Sequence, residues 1–134
     1  MAQNNENAPV TGADEIEQIF RQGQAFFTDH RYDEAVRCFI TAAEQGHAGA
    51  QCILGACYEK GFGMAVDYTK AVVWYTKAAE QGLAAAQYNI GVCYENGFGI
   101  MKDPVKAMAW YAMAAKQGHE QANENLNRLR KSIS

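Results

Sequence analysis

The residues able to do chemistry in this chain are few, and their spacing argues against a reaction centre. The histidines are His30, His47 and His119. No two share a helical turn, and no H-E-x-x-H occurs, so the ligand spacing of a zinc hydrolase is missing. His47 and His119 stand at equivalent points of a repeated pattern whose intervening copy has Leu83 there. A position that accepts leucine does not demand a metal ligand. The only serines, Ser132 and Ser134, lie at the C-terminal end, a poor place for a nucleophile that needs a rigid site. Cys38, Cys52, Cys57 and Cys93 form no CxxC pair and read as buried, reduced thiols. A reactive thiolate would need electropositive surroundings. The expectation is therefore no catalytic residue, no metal site and no cofactor.

Composition excludes further classes. The net charge is -3 and the pI about 5.6, whereas a phosphate backbone wants clustered Lys and Arg. The one basic cluster, Arg128, Arg130 and Lys131, reads as a solvated helix end. No apolar run approaches the ~20 residues of a membrane helix. The N-terminal stretch MAQNNENAPVTG has neither a basic region nor an apolar run, so no signal peptide is expected and a cytoplasmic location is the default. Neither nucleic acid nor membrane is expected as a partner.

The informative feature is repetition. YEKGFG at Tyr58–Gly63 returns as YENGFG at Tyr94–Gly99, 36 residues later. Aligning residues 42–77 with 78–113 without a gap makes 20 of 36 positions identical, among them AAEQG, AQ, CYE, GFG, an Asp, KA and WY. Self-similarity at such a period marks a stack of like units. Another copy starts at AAKQGH, residues 114–119. A shorter unit precedes: Gly23 to Ala35 spans 12 positions, against 16 from Gly55 to Ala71 and from Gly91 to Ala107, so its loop is four residues shorter.

Each unit reads as two helices. Ala50, Leu54, Cys57 and Tyr58 fall on one helical face. Gly61 suits the left-handed position past a helix end. Asp67 and Asp103 are N-cap candidates, and Pro104 after Asp103 strengthens the second. The Gly-Phe-Gly segments lack a preceding strand and a phosphate-binding Lys, so they read as structural joints, with Phe62 or Phe98 tucked beneath. Tyr58, Tyr94, Trp74 and Trp110 are expected to fill the gaps between units. The first helix, from about Asp14, has Asp14 and Glu17 at capping-box spacing. The last carries Ala122, Leu126, Leu129 and Ile133 on one stripe, with polar residues elsewhere, as a terminal cap should. Residues 1–13 read as a disordered tail. Residues 14–134 read as one repeat domain with units of about 14–46, 47–82 and 83–118 and a capping helix at 119–131.

The stretch AAEQGLAAAQYNIGVCYENGFGIMKDPVKAMAWYAMAA resembles the Sel-one-like repeat, a relative of the tetratricopeptide repeat. The matching positions are the paired alanines, Gly82, Ala86, Gly91, Tyr94, the Gly-Phe-Gly joint, Asp103, Ala107 and Trp110-Tyr111. The first unit is closer to the shorter tetratricopeptide form, and Cys38 departs from the pattern where the other units have Trp74 and Trp110. The resemblance implies an all-α fold of about seven helices, a right-handed α-α superhelix of antiparallel pairs. It implies protein–protein interaction as the main activity. Some members have been linked to β-lactam hydrolysis, but no S-x-x-K exists here to carry it. A hydrolase on the same stack and a self-associating module, giving a weak homo-oligomer, are the alternatives.

The resemblance places a concave partner-binding face on the first helix of each pair. Its candidate residues are Phe27, Cys52, Ala56, Glu59, Tyr88, Val92, Glu95, Asn96 and Arg128. Phe20 and Phe27 are each open to a core or a surface role. Tyr88, Phe27 and Val92 would supply apolar contact, Asn96 would hold backbone amides, and Glu59 and Glu95 would favour a basic partner. The expected occupant is a peptide or helix of another protein.

Overall fold

A computed structural model describes residues 12–133. Its regular structure there consists of seven helices: α1 (Ala13–Thr28), α2 (Tyr32–Glu44), α3 (Ala48–Lys60), α4 (Tyr68–Glu80), α5 (Ala84–Asn96), α6 (Pro104–Lys116) and α7 (Glu120–Ile133). Each helix packs chiefly on the helices before and after it in the chain. This linear order of contacts is that of an α-α solenoid.

Short-range chemistry sets the boundaries. α3 and α5 stop at Gly61 and Gly97, whose φ values of 77° and 74° are left-handed and suit a residue without Cβ. Their N–H groups return to the carbonyls of Cys57 and Cys93, each at 2.8 Å. α4 and α6 start where Asp67 and Asp103 accept the N–H groups of Lys70 and Lys106 at 3.0 and 3.1 Å. The α1–α2 connection holds only residues 29–31, against 61–67 and 97–103 in the later units. The four missing residues come from that joint.

Helix pairing depends on a ring over a glycine. Phe39, Tyr75 and Tyr111 are fully buried and lie against Gly23, Gly55 and Gly91. A Cβ on Gly91 would stand 2.6 Å from the Tyr111 ring. The expected gap-fillers Tyr58, Tyr94, Trp74 and Trp110 are half-buried and pack against the cores that join neighbouring units. The lysine ammoniums of Lys70, Lys106 and Lys77 cover the rings of Tyr58, Tyr94 and Trp74. The ring following each Trp is the one that faces the glycine.

A glutamine clamp joins units. Gln51 Nε2 donates to the Ala43 carbonyl of α2, and its Oε1 accepts Gln81 Nε2 at the end of α4. Gln81 Nε2 also reaches the Gly46 carbonyl. The set recurs 36 residues on, with Gln87 bonded to Ala79, and Gln117 bonded to Gln87 and Gly82. Gln51 and Gln87 are the buried polar side chains of the core, and each finds partners for both ends of its amide.

Four expectations need correction. Asp14 and Glu17 form no capping box. α1 begins after Gly12 with no side-chain cap, which leaves Asp14 inside the first turn, and Glu17 bonds His47 and Arg21 instead. Phe62 does tuck in, against Phe27 and Tyr32 with ring centroids 5.2 and 5.1 Å away. Phe98 does not: it is 40% exposed and stacks only on Tyr68. Its counterpart to Phe27 is Glu59, which turns to another partner. Ile133 is 56% exposed in the last turn, while Ala122, Leu126 and Leu129 are buried. The expected disordered tail lies outside the described residues through residue 11, and Ala13 is already helical.

Candidate functional site

The first helices of the pairs, α1, α3, α5 and α7, form one wall. Asn89 Nδ2 of α5 lies 3.7 Å from Cys52 Sγ of α3, and Arg128 of α7 reaches Glu95 of α5. Counting by the repeat, Phe27, Glu59 and Glu95 occupy one row along this wall, and Gln24, Ala56, Val92 and Arg128 the neighbouring row.

A cavity of about 480 Å3 opens between α1 and α3. Phe27 of α1, Phe39 of α2, Ile53, Ala56 and Cys57 of α3, and Phe62 of the joint give it an apolar lining. Gln24, Thr28 and Lys60, all exposed, complete it. The cavity has a cause in sequence. In the later units Glu59 and Glu95 accept hydrogen bonds from the hydroxyls of Tyr75 and Tyr111, both at 2.7 Å. In the first unit the same two places hold Phe27 and Phe39. Carboxylate and phenol are replaced together, leaving an apolar recess where the others have a polar bond.

The remaining candidates are less available than their positions in the sequence suggest. Cys52 is 9% exposed and belongs to the core. Tyr88 is half-buried and stacks on His119, with ring centroids 4.7 Å apart. Val92 is half-buried against the C-terminal core. Asn96 is exposed and donates to the Val92 carbonyl of its own helix. Glu95 is held by Arg128 at 2.7 Å as well as by Tyr111. The Arg128 guanidinium, ahead of the Tyr111 hydroxyl, holds the Glu95 carboxyl below its ordinary value. Phe20 takes the core role, with its ring 4.3 Å from that of His47.

Two roles escaped the sequence. His47 Nδ1 accepts the Ala50 N–H at 2.9 Å and its Nε2 meets Glu17 Oε1 at 2.8 Å. His119 caps Ala122 in the same way. Leu83, between them, has no side-chain cap. Among the described residues no three His, Cys, Asp or Glu side chains gather as a metal site. Burial pushes the thiols of Cys52 and Cys57 up to about 11 and that of Cys93 up to about 12, so they are protonated near neutral pH. No helix among the described residues is long and apolar enough to cross a membrane.

The repeat period and the paired helices have a counterpart among known proteins. The Sel1 repeat family matches residues 21–47, 48–83 and 84–119. The chain belongs to the Sel1 repeat family. A Sel1 repeat protein from Oxalobacter formigenes is 38% identical with a TM-score of 0.79, over 82% of this chain and 45% of its own. A protective antigen of uropathogenic Escherichia coli strains, which displays the same repeat fold, is 33% identical with a TM-score of 0.85, over 89% of this chain and 26% of its own. Helicobacter pylori cysteine rich protein B shares the fold at 24% identity and a TM-score of 0.65, over 68% of each chain. The chain thus spans less than half the length of the first two. No curated protein sequence matches it. Sel1 repeats are generally scaffolds for protein interaction, and the first-helix wall is where this chain offers a recess.

Proposed function

We propose that this Sel1 repeat chain is an interaction module that docks an extended peptide of a partner protein along the first-helix wall. One apolar side chain of the peptide enters the α1–α3 cavity. The observation that carries this reading is the joint replacement of the Glu–Tyr pair by Phe27 and Phe39, which opens the apolar recess in that unit. Desolvation of one large apolar side chain contributes roughly 1.5–3 kcal/mol. Lys60 beside the cavity favours a carboxylate next to the anchor. The basic partner anticipated from Glu59 and Glu95 together is revised, because Arg128 already neutralises Glu95. The four free cysteines suit a reducing compartment such as the cytoplasm. Protonated Cys57 offers the cavity no thiolate nucleophile, which favours binding over hydrolysis.

Selection of random peptides on the intact protein, followed by affinity measurement against Ala56→Phe, tests the reading. The substitution fills the cavity from α3, and circular dichroism checks the helices. Binders sharing an apolar anchor are expected to lose at least tenfold, ~1.4 kcal/mol, in affinity. Binders indifferent to the filled cavity would overturn the proposal.

A further inference from the structure

The chain shows, in one repeat, how a neighbouring repeat can be completed. Glu95 Oε1 accepts the Tyr111 hydroxyl at 2.7 Å and an Arg128 guanidinium nitrogen at 3.0 Å. Its Oε2 meets the other guanidinium nitrogen at 2.7 Å. This is a two-pronged carboxylate–guanidinium contact on a carboxylate already oriented by a phenol. Glu59 has the first half of the arrangement, since its Oε1 accepts the Tyr75 hydroxyl at 2.7 Å. Arg128 corresponds, one repeat earlier, to Val92. No ion pair engages Glu59 among the described residues.

We propose that Glu59 and Tyr75 are the floor of a guanidinium subsite that an arginine of the partner peptide fills beside Val92, as Arg128 fills the next one. This rests on the groove reading above. Half-buried Val92 offers an apolar side for the arginine stem. Arginine is preferred over lysine because only the planar fork bonds both carboxylate oxygens. The subsite lies one helix along the wall from the apolar cavity, roughly 10 Å for packed helices. An extended peptide covers that in about three residues at ~3.3 Å each. The ligand class is a peptide with a large apolar residue and an arginine three positions apart.

Two measurements test this. The first is a double-mutant cycle of Val92→Arg with Glu59→Gln in urea unfolding, in which the protein supplies its own guanidinium. The expected coupling is about fivefold in the unfolding equilibrium constant, in the range of a well-oriented, partly exposed pair. The second is fluorescence anisotropy with two capped, dye-labelled peptides carrying leucine and arginine three apart, one in each order. The same peptides with citrulline for arginine are the controls. At least one peptide is expected to bind, and citrulline, Glu59→Gln and Val92→Arg should each weaken it about tenfold. Binding that ignores all three changes but falls with Ala56→Phe overturns the arginine subsite and leaves the groove reading intact. Binding by neither peptide, with coupling in the cycle, overturns the groove reading and the partner arginine with it. An absence of coupling in the cycle overturns the subsite on its own.

Discussion

Glu95 serves two donors at once, and this makes the C-terminal half of the wall sensitive to acid. The Arg128 guanidinium, then the Tyr111 hydroxyl, favour its charged form, while burial opposes it, and the net effect is a carboxyl below its ordinary 4.5. The folded chain therefore gives up this proton at lower pH than the unfolded chain does. The stabilisation is complete above the ordinary carboxylate value and is lost as pH falls through the lowered folded value. Glu95→Gln should remove that part of the acid limb. The gap in urea midpoint between the parent and the variant is expected to be largest near neutral pH and to close as pH falls below the ordinary carboxylate value of 4.5. A gap that stays constant across the range would contradict the assignment. Tyr111 answers in the opposite sense: burial, then the adjacent carboxylate, raise its hydroxyl pKa, so it stays a donor throughout.

Among elements, the glutamine clamp fixes how each pair meets the next. Gln87 is 2% exposed and bonds both Ala79 of α4 and Gln117 beyond α6. Gln87→Ala removes two hydrogen bonds, leaving the Ala79 carbonyl with the Gly82 N–H and the Gln117 amide with the Gly82 carbonyl, a cost of about 1 kcal/mol. Urea unfolding should show that loss, whereas Gln45→Ala, on an exposed side chain, should fall within ~0.5 kcal/mol of the parent. The recurrence of EQG and AQ was plain in the sequence, but not that the two glutamines touch. They lie 30 residues apart and meet only once α3 and α4 are folded back on each other. The bounds of α3 to α6 were legible because Gly61, Asp67, Asp103 and Pro104 act on their immediate backbone. The Asp14–Glu17 reading failed for the complementary reason: a cap depends on where the backbone leaves the helix, and spacing alone does not fix that.

At the scale of the molecule, contacts that run only between successive helices make stability a local property. Phe39→Ala, which removes a ring 1% exposed, should destabilise by about 3–5 kcal/mol. The consequence should be uneven. Amide exchange is expected to accelerate most in α1 to α3 and least in α6 and α7. A uniform acceleration would mean that the stack unfolds as one body. The repeat architecture was open to sequence reasoning because 36-residue identity needs no structure to see. The α1–α3 cavity was not, because Phe27 faces Phe39 across a joint four residues shorter than the others. Glu59 and Glu95, read as free charges, proved to be tied to Tyr75 and Tyr111 on the following helix.

The clamp also bears on how such a chain changes length. Gln81 and Gln117 each reach back to the same carbonyl of the preceding loop, Gly46 and Gly82. The surface a unit receives is thus the surface it presents. A duplicate of residues 48–83, spliced in after Leu83, would find every amide and carbonyl of its two seams already matched. Tandem copying of the gene segment can then lengthen the protein without inventing an interface, which suits a family in which this chain matches only 45% and 26% of two longer relatives.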